Sequence, residues 1–344
     1  MTVKRARVAK AASAALIVVV FLMPSASQGH AFAMAVPSAD GAAAIQTAQR
    51  QFNQGSYSSA ISTLQTALTQ NPSSAEAHYW LGRSYYELHD FDNAVSQLEK
   101  SIGIDDKNSV YHQWLGRAYG GKADKERSLF DARKVKKEFQ AAVQLNPSNI
   151  SAREDLEEYC IDAPWVAGGN KDEAKAQVEA ITALDPVRGH LARGTLYEKG
   201  SKKPELAEAE FRQVLSAKPK DMDPYFDVAT FFQRQNKAPD LEAAIQAAAQ
   251  VNPNDSRLAY FRGVSRVISN SEQARAEEYL KSYLASTPDR SDWPSHASAR
   301  EWLGRLYEAQ GKRSEAAEQY RDALQLEPGR KQVRARLEQL EKSH

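Results

Sequence analysis

The stretch YWLGRSYYE at residues 79–87 returns as QWLGRAYGG at 113–121 and as EWLGRLYEA at 301–309. Gly82 and Gly116 stand 34 residues apart, and a self-similar period of roughly 20–50 residues marks a chain built from stacked units. Prolines give a second ruler. Pro72, Pro147, Pro186, Pro219, Pro253, Pro288 and Pro328 each close a period, and three of their intervals are 33, 34 and 35 residues. Between Pro72 and Pro147, Asp106 in IDD stands where one more proline would fall.

Each period reads as two amphipathic helices. In AQGKRSEAAEQYRDALQLEP (309–328), Gly311 ends the first helix, and Ala316, Tyr320 and Ala323 form the apolar stripe of the second. Their spacing of four and three is that of one helical face. Pro328 then blocks continuation and sets the turn into the next unit.

These residues resemble the tetratricopeptide repeat family, whose first helix carries Trp/Tyr-x-x-Leu-Gly-x-x-Tyr. Leu81, Gly82, Tyr85, Phe91, Ala94 and Leu98 meet that pattern in the second repeat. Leu303, Gly304, Tyr307, Ala316, Tyr320, Ala323 and Pro328 meet it in the last. The first fits through Ala48, Ala60, Leu64, Ala67 and Pro72, and the sixth through Ala229, Phe232, Ile245, Ala248 and Pro253. The resemblance implies an all-α, right-handed αα-superhelix of about eight helix pairs over 41–328. Residues 329–344 would add a polar capping helix and tail. It also implies a non-catalytic scaffold that binds a partner protein or extended peptide in a concave groove.

The 344 residues hold 45 basic and 44 acidic groups, a balance that argues against a general nucleic-acid binder. A single cysteine, Cys160, excludes an internal disulfide framework and reads as a small buried hydrophobe. Residues 1–35 read as a leader: a basic start, the apolar run AASAALIVVVFLM, then small residues that allow cleavage after Ser27, Ala33 or Ala35. Its loss leaves 41 basic against 44 acidic residues and predicts export to the periplasm or beyond. The alternative is an uncleaved anchor that holds an envelope-assembly or secretion accessory protein at the inner membrane.

Given the family's groove, helical phase sends Arg83, Tyr79 and Tyr86 away from the core direction set by Leu81, Gly82 and Tyr85. Arg117 and Arg305 share the phase of Arg83. The expected groove set is Tyr79, Arg83, Tyr86, Gln113, Arg117, Phe226, Tyr260 and Arg305, with Arg83 and Arg117 suited to an acidic peptide or a terminal carboxylate. Trp80, Trp114 and Trp302 are expected to pack partly against the following first helix. Two longer turns, near 120–128 and at 163–170 (APWVAGGN), should lie side by side on one rim. There Pro164 and Trp165 offer a second candidate site, unless Trp165 folds back over the opened turn.

No other chemistry surfaces. GRAYGGKA (116–123) has phosphate-loop spacing, but Ala123 replaces the hydroxyl residue and the segment continues a helix. His78, His112 and His190 share one phase and read as packed aromatic substitutes, so no metal or cofactor is expected. An enzyme with an unrecognised site in the two insertions is the competing class.

Overall fold

The computed structural model describes residues 39–286 and 288–342; the expected leader and its cleavage positions lie outside them. The described chain is all-α, a tetratricopeptide-like solenoid of eight helix pairs and a cap. The first four pairs are α1 (Ala39–Asn53) with α2 (Tyr57–Gln70), α3 (Ala75–Glu87) with α4 (Phe91–Ile104), α5 (Ser109–Glu126) with α6 (Leu129–Leu145), and α7 (Ile150–Asp162) with α8 (Lys171–Leu184). Next come α9 (Pro186–Thr195) with α10 (Pro204–Ala217), and α11 (Asp223–Arg234) with α12 (Ala238–Val251). Then follow α13 (Arg257–Ile268) with α14 (Gln273–Ser286), α15 (His296–Ala309) with α16 (Arg313–Leu326), and the cap α17 (Lys331–Lys342).

Local chemistry sets both kinds of turn. Between pairs, Asn71, Asp105, Asn146 and Asn252 end helices with extended backbone, and each carboxyl or amide oxygen accepts the N–H two residues on. That Asx turn is what a following proline or aspartate needs in order to start a new direction. Ser74, Asn108, Asn149 and Ser295 then cap the next first helices through their side-chain oxygens. Within each pair the tight turn takes a left-handed residue, glycine at 55, 168 and 311, but His89, Arg127, Lys202, Asn236 and Asn270 elsewhere.

The glycines of the repeated phrase are contact points. A Cβ on Gly304 would lie 2.4 Å from the Tyr320 ring of the second helix, and one on Gly116 would lie 2.5 Å from Phe139. Between successive first helices, aromatic pairs carry the stacking: Tyr79 with Tyr111 at 5.0 Å, Phe226 with Phe261 at 5.3 Å. Such pairs contribute about 0.5–1.5 kcal/mol beyond the area they bury.

Two expectations need correction. The extra residues of the third repeat do not form a long turn; they lengthen both helices, α5 to 18 residues and α6 to 17, closing in a tight turn at Arg127. Trp165 does not fold back: it sits on a 3-10 turn (Trp165–Ala167) with 84% of its surface exposed. Trp80 and Trp114 also make ring contacts with Phe52 and Tyr86 of the preceding first helices.

The chain also closes on itself. Residues 288–295, between α14 and α15, form a strap against the first two repeats. The Tyr57 hydroxyl donates to the Asp289 carbonyl at 3.0 Å, and Ser291 donates its N–H and Oγ–H to the Glu87 carboxylate at 2.9 and 2.8 Å.

Candidate functional site

A cavity of about 820 Å³ lies on the inner side of α7, α9, α11 and α13, with strap residues 291–295 as part of its wall. Every basic side chain in the wall already holds a carboxylate. Arg117 pairs with Asp155 at 2.8 Å, and Arg188 reaches Glu154 at 3.4 Å and Asp227 at 3.8 Å. Lys199 binds Glu158 and Asp162, and Arg234 binds Glu198 at 2.6 Å. Arg257 spans Asp223 and Asp255, and Arg330 spans Glu301 and Glu327.

The carboxyl groups on the floor are the perturbed ones. Burial pushes Glu154 up to about 7, against the pull of Arg188. Asp227 keeps 55% of its side-chain surface open to the cavity. Partial desolvation in the cavity pushes its carboxyl up to about 6, with Arg188 pulling the other way. Glu157 is 3% exposed, and its Oε1 is enclosed without a hydrogen-bond partner. Burial, with Glu158 beside it, pushes Glu157 up to about 9.

The residues expected in the groove divide. Arg117, Phe226 and Tyr260 line the cavity. Gln113 is buried, donating to Ser151 Oγ at 2.8 Å and Asp155 Oδ2 at 2.7 Å, so it braces α5 against α7. Arg83 lies within 4.1–5.5 Å of the ring centroids of Phe52, Tyr79, Trp80 and Trp114 and donates to the Tyr79 hydroxyl at 3.2 Å. Burial lowers the Arg83 pKa, and its Nε is enclosed without an acceptor. Tyr79 is buried, and Tyr86 packs edge-on to Phe91 and Trp114. Arg305 lies 4.3 Å from the Trp302 ring. For Arg117, burial alone would lower the pKa, but Asp155 outweighs it and the net shift is upward.

The 163–170 turn rests on α6 of the preceding repeat. Arg133 Nε donates to the Val166 carbonyl at 3.2 Å, and Lys136 Nζ to that of Gly168 at 2.8 Å. Beside them a second cavity of about 520 Å³ has Leu129, Val135, Phe139, Tyr159 and Pro164 in its wall. The three histidines are each held locally: His78 by Gln97 and the Pro72 carbonyl, His112 by Glu138 and the Asp106 carbonyl, His190 by Glu210. Cys160 is buried, and burial pushes its thiol up to about 11.

The family model described as the tetratricopeptide repeat matches residues 45–109 and 275–331. Those two stretches are tetratricopeptide repeats. No curated protein matches the chain in sequence. Among solved structures, the chain is similar to a tetratricopeptide repeat protein from Parabacteroides merdae at 14% identity, covering 88% of this chain and 99% of that one, with a TM-score of 0.44. It is also similar to the MamA protein, at 20% identity over 52% of this chain and 91% of that one, TM-score 0.40. A third likeness is to the P58(IPK) tetratricopeptide domain, at 15% identity over 88% of this chain and 98% of that one, TM-score 0.31.

Reasoning from sequence missed Glu154, Glu157, Arg188 and Asp227. The signal was present for one of them. Counting from the helix caps Ser74, Asn108 and Asn149, the position of Gly82 and Gly116 falls in α7 on Glu157. A carboxyl where the matching helices carry glycine is legible as an anomaly.

Proposed function

We propose that this protein is a non-catalytic scaffold that holds a partner protein, or an extended segment of one, along the inner face of its first helices. The observation that supports this reading best is the 820 Å³ cavity, walled by four successive first helices and the strap. Paired charges and the rings of Phe226 and Tyr260 are fixed there before any partner arrives, which lowers the ordering cost of binding. The basic start and short apolar run of residues 1–35 support export, and the cell envelope is the proposed place of action.

Thr230 lines the cavity and is only half-buried, so Thr230→Trp should fill it without disturbing the core. Crosslinking of the mature chain in an envelope fraction should capture a partner whose crosslinks map to the cavity wall. Capture should fall at least fivefold with Thr230→Trp at unchanged helicity. Equal capture by both chains would overturn the reading.

A further inference from the structure

Two buried oxygens in the wall of the inner cavity have no hydrogen-bond donor, Gln233 Oε1 and Glu157 Oε1, and the second belongs to an ionisable group. In α3, α5 and α15 the residue facing the second helix is Gly82, Gly116 or Gly304, and a Cβ there would collide with Leu98, Phe139 or Tyr320. In α7 the matching place is Glu157. Its opposite number at the Leu98 position of the second helix is the smaller Val178, counting from Asp90 and Asn170. The carboxyl therefore finds space in the cavity wall. Among the described residues it finds no ion pair, and its Oε1 finds no hydrogen-bond donor. A buried polar oxygen without a partner costs about 1–3 kcal/mol, and no contact in the fold compensates for it.

The surroundings decide the sign of what would satisfy it. On its own helix Glu157 is flanked by Glu154, Glu158 and Asp162, and across the groove by Lys199. Lys199 is already taken by Glu158 and Asp162. Glu154 faces Asp155 on its own helix, Arg188, Asp227 and Arg117, and Asp227 in turn faces Arg188, Asp223, Arg234 and Arg257. Each of those arginines has its carboxylate. Once Glu154 and Asp227 are both ionised, two carboxylates face the one Arg188, and that part of the wall is short of positive charge. An anionic ligand would have to displace an existing pair at every basic residue. A cationic one would meet the Glu157 carboxyl in the cavity wall with no ion pair to displace.

We propose that the cavity takes the lysine or arginine side chain of a bound peptide, its cationic head seated at Glu157 with Glu154 and Asp227 alongside. This rests on the scaffold reading above and assigns the chemistry of its ligand. It reverses the acidic-peptide expectation drawn from Arg83 and Arg117, since the first is stacked among aromatic rings and the second is held by Asp155.

The assignment has a pH signature. Burial pushes the carboxyls of Asp227, Glu154 and Glu157 up to about 6, 7 and 9, each well above an ordinary carboxyl. A peptide lysine stays charged until about 10.4. Affinity for a cationic peptide should therefore rise with pH across this range, with protons released on binding, where an ordinary surface carboxylate cluster would show a flat profile.

The test uses acetylated, amidated tri-lysine and tri-glutamate titrated calorimetrically into the mature chain at pH 6, 7.5 and 9. Tri-lysine should tighten about tenfold from pH 6 to 9, and tri-glutamate should bind more weakly throughout. Glu157→Gln should weaken tri-lysine at least fivefold at pH 9. Asp172→Asn, at an exposed carboxylate outside the cavity, should change nothing. Should Glu157→Gln lose helicity, Asp227→Asn carries the same comparison. Equal tri-lysine binding by wild type and the cavity variant, or a preference for tri-glutamate, overturns the assignment. A chain whose partner capture is still blocked by Thr230→Trp, but which ignores tri-lysine, refutes the cation and leaves the scaffold standing.

Discussion

Arg83 shows how far a single residue's helical phase can be trusted. The phase sends it away from the core, and from there it reads as an exposed charge free for a ligand. The structure surrounds it with four aromatic rings, the nearest being Trp114 at 4.1 Å. Phe52 and Trp114 belong to α1 and α5, one repeat to either side, so no reading of α3 alone brings them into view. Arg117 was equally opaque, because its partner Asp155 stands 38 residues on in the next repeat. What a helix presents to its own repeat is legible in its sequence; what its neighbours present back is not. The energetic consequence is testable. An exposed arginine is worth roughly 0–1 kcal/mol, but a guanidinium held against aromatic faces and partly desolvated contributes about 2 kcal/mol. Arg83→Ala should therefore lower stability by about 2 kcal/mol in chemical denaturation. A loss below about 0.5 kcal/mol would place the guanidinium in water after all.

Helix pairs were the most legible level, because the constraints on them are local. Gly304 must be small where Tyr320 crosses it, and Asn-Pro must turn where the second helix ends. The third repeat was misread for a physical reason. Extra residues between two helices look the same in sequence whether they loop out or add a turn to each helix. Here KADKE and FDARK hold no proline or glycine and are mostly Lys, Ala, Arg and Glu, which favour helix, and both helices extend. At the chain's end, the cap does for α15 and α16 what a ninth repeat would do. Val333 is fully buried, and Arg330 reaches Glu301 at 2.8 Å and Ser298 at 2.6 Å. In a solenoid each repeat rests on its neighbours, so instability should spread from an uncovered end. A chain ending at Pro328 should lose hydrogen-exchange protection first in α15 and α16, with α3 and α4 keeping theirs. Uniform loss along the chain would mean that the repeats unfold as one unit.

At the scale of the whole molecule the period predicts a stack, and nothing in it predicts a strap. Residues 288–295 tie the seventh and eighth repeats to the first and second, across more than 200 residues of sequence. The contacts are few but specific: Tyr57 to the Asp289 carbonyl, and Ser291 through two donors to Glu87. Pro288 sits against the turn at Gly55, where an added Cβ would lie 2.3 Å from its ring. Because residues 291–295 also wall the inner cavity, the strap couples the curvature of the solenoid to the size of the site. Tyr57→Phe combined with Glu87→Ala removes all three hydrogen bonds. Neither change disturbs a helix cap, and Glu87 at the end of α3 opposes the helix dipole anyway. The double variant should keep its helicity and let trypsin cut after Arg290 several-fold faster. Its radius of gyration in solution scattering should also rise as the ends part. If cleavage rate and scattering both match the wild type, curvature is set by repeat packing alone, and the strap is a passenger on a ring that closes without it.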